Sequence, residues 1–174
     1  VFISLFVWCL LPSCQPNNSP SQRRVVTVDT VFTQARVKAH KMWYSKLERN
    51  VFSLDLYSEG LVLQGDTLTG TGTNLYFSDI FLDTLAARLE DREGEYKVDS
   101  TANVRTALSA MTFEGEITGT YLLLIADGAL QKIYTFPSGT FTLLQLGDTS
   151  VMTFHLLTAD QQTFDATYKG KPEY

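Results

Sequence analysis

From Val25 onward, apolar and polar residues alternate at period two, and the alternation breaks at Gly, Asp and Asn. Successive side chains of an extended chain point to opposite faces, so this pattern buries one face of a strand and wets the other. Phe52, Leu54 and Leu56 share one phase, while Ser53 and Asp55 take the other. Met152, Phe154 and Leu156 alternate with Val151, Thr153 and His155, and Phe164, Ala166 and Tyr168 alternate with Thr163, Asp165 and Thr167. The polar link Ala159-Asp160-Gln161 between these two runs and the reversal at Gly147-Asp148 before them predict a three-strand meander that starts at 140–146. Further strands are expected over 35–44, 61–63, 74–81, 95–98, 121–126 and 129–136, the last two hinged at Asp127-Gly128.

That makes about nine or ten strands, more than an open sheet usually carries without splitting or curling. The expected fold is therefore all-β, an antiparallel β-sandwich or barrel with one short helix. The helix is placed by Leu82, Leu85, Ala86 and Leu89 at i, i+3, i+4 and i+7, with Asp83 to cap its start and Gly94 to end it. A second helical turn is expected over 103–110, where Val104, Ala107, Leu108 and Met111 share a face.

The chain opens on an uncharged apolar run over residues 1–13, too short to span a bilayer and matching the centre of a secretory signal. Val1 and the missing basic segment predict that a few residues precede it. The run closes on Leu11-Pro12-Ser13 before Cys14, which resembles the lipobox of a bacterial lipoprotein signal peptide. The resemblance implies cleavage before Cys14, lipidation of its sulfur and anchoring in the cell envelope, expected at the outer membrane, where more than one acyl chain gives stable attachment. Residues 14–24, rich in Pro, Asn and Ser, suit a solvated tether. Residues 25–174 then form a single β-rich domain. With Cys9 lost in the leader, Cys14 is the one remaining cysteine and no intramolecular disulfide can form. The body also resembles β-rich secreted modules of unassigned function in Bacteroidete-type lipoproteins. Gly70-Thr71-Gly72 before Leu75-Tyr76-Phe77, Gly94-Glu95-Tyr96-Lys97-Val98, Gly139-Thr140-Phe141-Thr142-Leu143 and the Gly147-Asp148 turn carry that likeness, which implies architecture and surface placement. The charged segment 87–93 departs from it.

The net charge is −5, and apart from Arg23-Arg24 the basic residues are scattered. This excludes the basic stripe that follows nucleic-acid phosphates. Nucleophilic catalysis needs a base beside a nucleophile, yet His40 and His155 are the only histidines and neither sits in a motif; no G-x-S-x-G turn occurs. H-x-H, H-E-x-x-H and C-x-x-C are missing, and Asp127-Gly128 lacks the further acids of a calcium loop, so neither metal nor cofactor is expected. Asp79 stands out among the carboxylates because strict alternation puts it in phase with Leu75, Phe77 and Phe81, where a charge needs a partner unless a bulge shifts the phase. Trp43 and Tyr44, with Tyr57, Tyr76, Tyr121 and Tyr134, offer aromatic faces for sugar rings or a protein partner. The expected function is an envelope-anchored, non-enzymatic binding or structural domain for a glycan or an envelope protein. The alternatives are a lipocalin-like small-molecule carrier with a hollow barrel and a glycoside hydrolase that uses Asp79 with a second acid.

Overall fold

A computed structural model gives the architecture and describes residues 30–40, 49–65 and 67–174. Cys14, the tether and the Trp43-Tyr44 pair lie outside these residues. The described chain is built almost entirely of strands, in the order β1 (Thr30–Ala39), β2 (Asn50–Ser58), β3 (Leu61–Gln64), β4 (Thr67–Gly70), β5 (Gly72–Leu82), β6 (Gly94–Asp99) and β7 (Thr106–Leu108). There follow β8 (Met111–Phe113), β9 (Glu116–Thr118), β10 (Thr120–Ala126), β11 (Ala129–Thr135), β12 (Ser138–Leu146), β13 (Thr149–Leu157) and β14 (Thr163–Gly170).

Eight of them close into a barrel, in the order β5-β2-β1-β14-β13-β12-β6-β7, with β7 returning to β5 through Ile80 opposite Ala107 and Phe81 opposite Thr106. The expected meander β12-β13-β14 is present, with Phe141 opposite Phe154 and Phe154 opposite Ala166. Two pairings are parallel, β1 with β14 and β6 with β7. A closed ring needs an even number of direction reversals, so parallel neighbours must come in pairs if eight strands are to meet. The β10-β11 hairpin lies outside the ring and pairs with the first half of β5, from Gly72 to Phe77, while β7 takes the second half. Strand β5 is therefore a fork.

Aromatic side chains fill the barrel. Phe77 of β5 reaches Phe141 and Phe154 on the opposite wall, with ring centroids 5.2 and 5.6 Å apart, and Tyr96 stacks on Phe141 at 4.6 Å. Phe52, Leu54, Phe77, Phe141, Phe154 and Phe164 are all buried. The wide lumen that a lipocalin-like carrier needs is thus occupied by side chains, as in barrels whose interior is just wide enough to be packed. Gly139 lets β12 approach its neighbour: its φ is +146°, and a Cβ there would sit 2.6 Å from the His155 carbonyl oxygen.

The helix expected from Leu82 shrinks to a single 3₁₀ turn, Leu89–Asp91. Leu82 is claimed by β5, opposite Asn50, and Leu85 is 82% exposed, so the apolar stripe never meets one surface. Leu82 enters the core from the strand, and of the residues after it Ala86 and Leu89 also turn into the core. Asp83 still caps, as a turn residue: its carboxylate accepts from the Leu85 amide at 3.0 Å and takes two hydrogen bonds of 2.6 Å from the Arg92 guanidinium. The second helical turn is absent as well. Arg105 has φ of +64° and leads into β7, which buries Ala107 and leaves Val104 and Met111 exposed.

Candidate functional site

Alternation puts Ala35, Leu56, Leu75 and Leu122 in the core from four neighbouring strands. The residues one step away must face outward, and the register aligns them. Arg36 of β1 lies opposite Asp55 of β2, Asp55 opposite Tyr76 of β5, and Tyr76 opposite Tyr121 of β10. A second row beside it runs through Gln34, Tyr57, Asn74 and Leu123. The Tyr76 and Tyr121 rings lie 5.2 Å apart at 48°, a tilted pair that presents ring faces and edges together.

Asp55 is the central charge of this surface. Among the described residues it forms no ion pair; the Asn74 amide donates to it at 3.4 Å and to the Leu56 carbonyl at 3.2 Å. Burial pushes the Asp55 carboxyl above its ordinary range, against the opposing pull of the Asn74 amide, Arg36, Lys38 and the Tyr57 hydroxyl. Burial and then the Asp55 charge raise the Tyr57 and Tyr76 phenols, and Tyr121 is pushed up to about 12, mainly by burial.

The β3-β4 hairpin folds back over this face. Leu61 is buried against Tyr57 and Ile125, with Leu63, Leu68 and Leu123 packed around them. Between the hairpin, the sheet and the chain's last residues lies a mainly polar cleft of about 470 Å³, bounded by Gln34, Arg36, Tyr57, Val62, Gly65 and Glu173. Arg36 and Tyr57 belong to both cleft and rows, so the two form one continuous surface.

Asp79 has a different place. Phe52 pairs with Ile80 but Leu54 pairs with Phe77, so β5 carries one extra residue opposite Ser53. This bulge moves the core phase from Phe77 to Ile80 and Leu82 and takes Asp79 off the core face. Its carboxylate accepts from the Ser78 hydroxyl at 2.6 Å, and Ser78 Oγ in turn accepts from the Gly119 amide at 3.0 Å. The expected partner for a poorly exposed Asp79 is thus a neighbouring hydroxyl at the fork of β5. His155 lies on the wetter face and pairs with Asp165 of the adjacent strand at 2.6 Å. His40, at the end of β1, is half-buried with no hydrogen-bond partner for Nε2 among the described residues.

Of the tyrosines singled out in the sequence, the fold brings Tyr57, Tyr76 and Tyr121 together, and it sends Tyr134 to the inner side of the β10-β11 hairpin. Asp55, Asn74 and Arg36 were not separable from other polar residues by alternation alone; their cross-strand register is what joins them. Among the described residues there is no group of three metal-ligating side chains and no helix long and apolar enough to cross a membrane. Comparison with protein-family models, with curated proteins and with solved structures returns no match.

Proposed function

We propose that this chain is a lipoprotein of the bacterial envelope, moored through Cys14 at the outer membrane, whose barrel is a non-enzymatic module that binds a neutral saccharide on its outer face. The observation that carries the reading is the aligned row Arg36, Asp55, Tyr76 and Tyr121. Sugar rings present apolar C–H faces that stack on aromatic rings and hydroxyls that a carboxylate, an amide and a guanidinium can bind. Arg36 and Lys38 both act on the Asp55 carboxylate, so acid and base face each other along the row and it favours a neutral polyhydroxyl ligand over a strongly charged one. The anchor rests on the lipobox-like segment. A β-barrel is compatible with a lipocalin-like binder, and the packed interior favours a site on the surface.

Glycan binding by the full chain tests the site, with Tyr121→Ala and Asp55→Asn as variants. Loss of either group is expected to weaken binding by about tenfold, roughly 1.4 kcal/mol, with folding unchanged. Equal binding by both variants refutes the site. Metabolic labelling with a palmitate analogue tests the anchor: signal is expected in the wild type and must vanish in Cys14→Ser.

A further inference from the structure

At the end of the barrel away from the 3₁₀ turn, the inner face of the β10-β11 hairpin leans over the start of β14 and leaves an apolar cavity of about 120 Å³. Its walls are Leu122, Leu124, Tyr134, Phe136 and Phe164, with Gln162 of the β13-β14 loop at the rim. Phe136 and Phe164 lie 5.5 Å apart at 37°, and both are buried. The cavity follows from the fork: β10 pairs with only half of β5 and β11 pairs with β10 alone, so the hairpin covers the mouth as a leaf outside the ring.

We propose that this cavity is a binding site for a small monocyclic aromatic molecule carrying one polar substituent, such as a phenol. Three observations carry this. The volume is a little below that of an engineered apolar cavity, about 150 Å³, that stays dry and takes up benzene. Three of the wall residues are aromatic, and they offer a guest ring the offset and edge-to-face contacts that aromatic pairs prefer. Gln162 lines the cavity with a side-chain amide that makes no hydrogen bond among the described residues, whereas the Thr158 hydroxyl beside it is taken up by Asp160 and Gln162 within the loop. A water in the cavity would find too few polar partners to be stable, so an apolar guest meets no well-bound competitor. The ring would occupy the cavity and its substituent would meet Gln162.

The test is titration of the full chain with phenol, benzene and 1-hexanol, followed through the methyl resonances of Leu122 and Leu124. Saturable shifts are expected for phenol and benzene, with phenol binding several-fold tighter. In Leu124→Phe, which fills the cavity, phenol affinity should fall by at least tenfold; in Gln162→Ala, phenol should weaken to the level of benzene. If Leu124→Phe does not fold, the Gln162→Ala comparison stands alone as the test. No saturable shift, an affinity unchanged in the filled variant, or phenol still tighter than benzene in Gln162→Ala would overturn the proposal. Tighter binding of hexanol than of phenol would overturn it in favour of an alkyl chain.

Discussion

Asp55 holds a carboxylate between Arg36 and Tyr76 in a surface where burial acts against its charge. Its folded pKa lies above its unfolded one, so the folded state holds this proton after the unfolded state has released it. The stability this group lends is complete below the unfolded pKa, about 3.9, and is lost as pH rises through the folded pKa. Asp83 behaves in the opposite sense. The Arg92 guanidinium holds its carboxyl below the usual range, so its contribution is present above the unfolded pKa and is lost as pH falls through the folded one. Melting temperatures measured from about pH 3 to 8 should separate the two. Asp55→Asn should remove a decline in stability with rising pH and leave the protein at least as stable at neutral pH. Asp83→Asn should remove a gain over the acid range and lower stability at neutral pH. The same Asp55→Asn variant should bring the Tyr57 and Tyr76 phenols down in an alkaline absorbance titration, because the Asp55 charge helps to hold both up. An unchanged phenol titration would mean that the carboxylate does not sense the aromatic row.

Strand β5 has to serve β2 along one edge and both β10 and β7 along the other, and the Ser78-Asp79 bulge sits between those last two partners. Ser78 fastens the junction: its hydroxyl donates to Asp79 and accepts from the Gly119 amide, while its own amide donates to the Gly119 carbonyl at 3.0 Å. Ser78→Ala strips the first two bonds and leaves a poorly exposed carboxylate and a backbone N–H without this partner, a loss of about 1–3 kcal/mol. Chemical denaturation should show it as a lower midpoint with an unchanged slope; a loss under about 0.5 kcal/mol would mean that the bulge holds without Ser78. The same strand marks the limit of what alternation reveals. Period two located the strands around Phe52, Phe154 and Phe164, each of which has an apolar neighbour two residues on, but it set the first strand at 35–44 where β1 runs Thr30–Ala39. It could not reveal the bulge, since one extra residue leaves composition untouched while exchanging the faces of Asp79 and Ile80. Strands β4, β7, β8 and β9, three or four residues each, are too short for a period to register. The stretch from Leu82 read as a helix because helical spacing is blind to a strand that claims its first residue. The aromatic members of the candidate site were legible as residue types. Their assembly with Arg36, Asp55 and Asn74 depends on register between β1, β2, β5 and β10, which belongs to pairs of strands and not to any one segment.

Closure of the ring joins the two ends of the described chain, with Thr30 opposite Ala166 and Phe32 opposite Tyr168. Such non-local pairing gives no local return while it forms, so it has to be repaid by what the closed barrel encloses. The enclosed material is the aromatic cluster, and Phe77 is its keystone: it comes from the β5 side and touches Phe141 and Phe154 on the β12-β13 side. Removing its ring cannot be repaired by a small shift of one wall, because the opposing strands are hydrogen-bonded into the ring and their separation is set by strand number and stagger. Phe77→Ala should therefore cost about 3–5 kcal/mol, the upper part of the range for buried large-to-small changes. Phe164→Ala makes the same chemical change at the mouth, beside a cavity that already exists and under a hairpin free to settle inward, and should cost clearly less. Urea unfolding of the two variants side by side decides the matter. If the two losses are equal, the mouth is as rigid as the centre; if Phe77→Ala is the milder change, the walls can close on a missing ring and the barrel is not held apart by its strands.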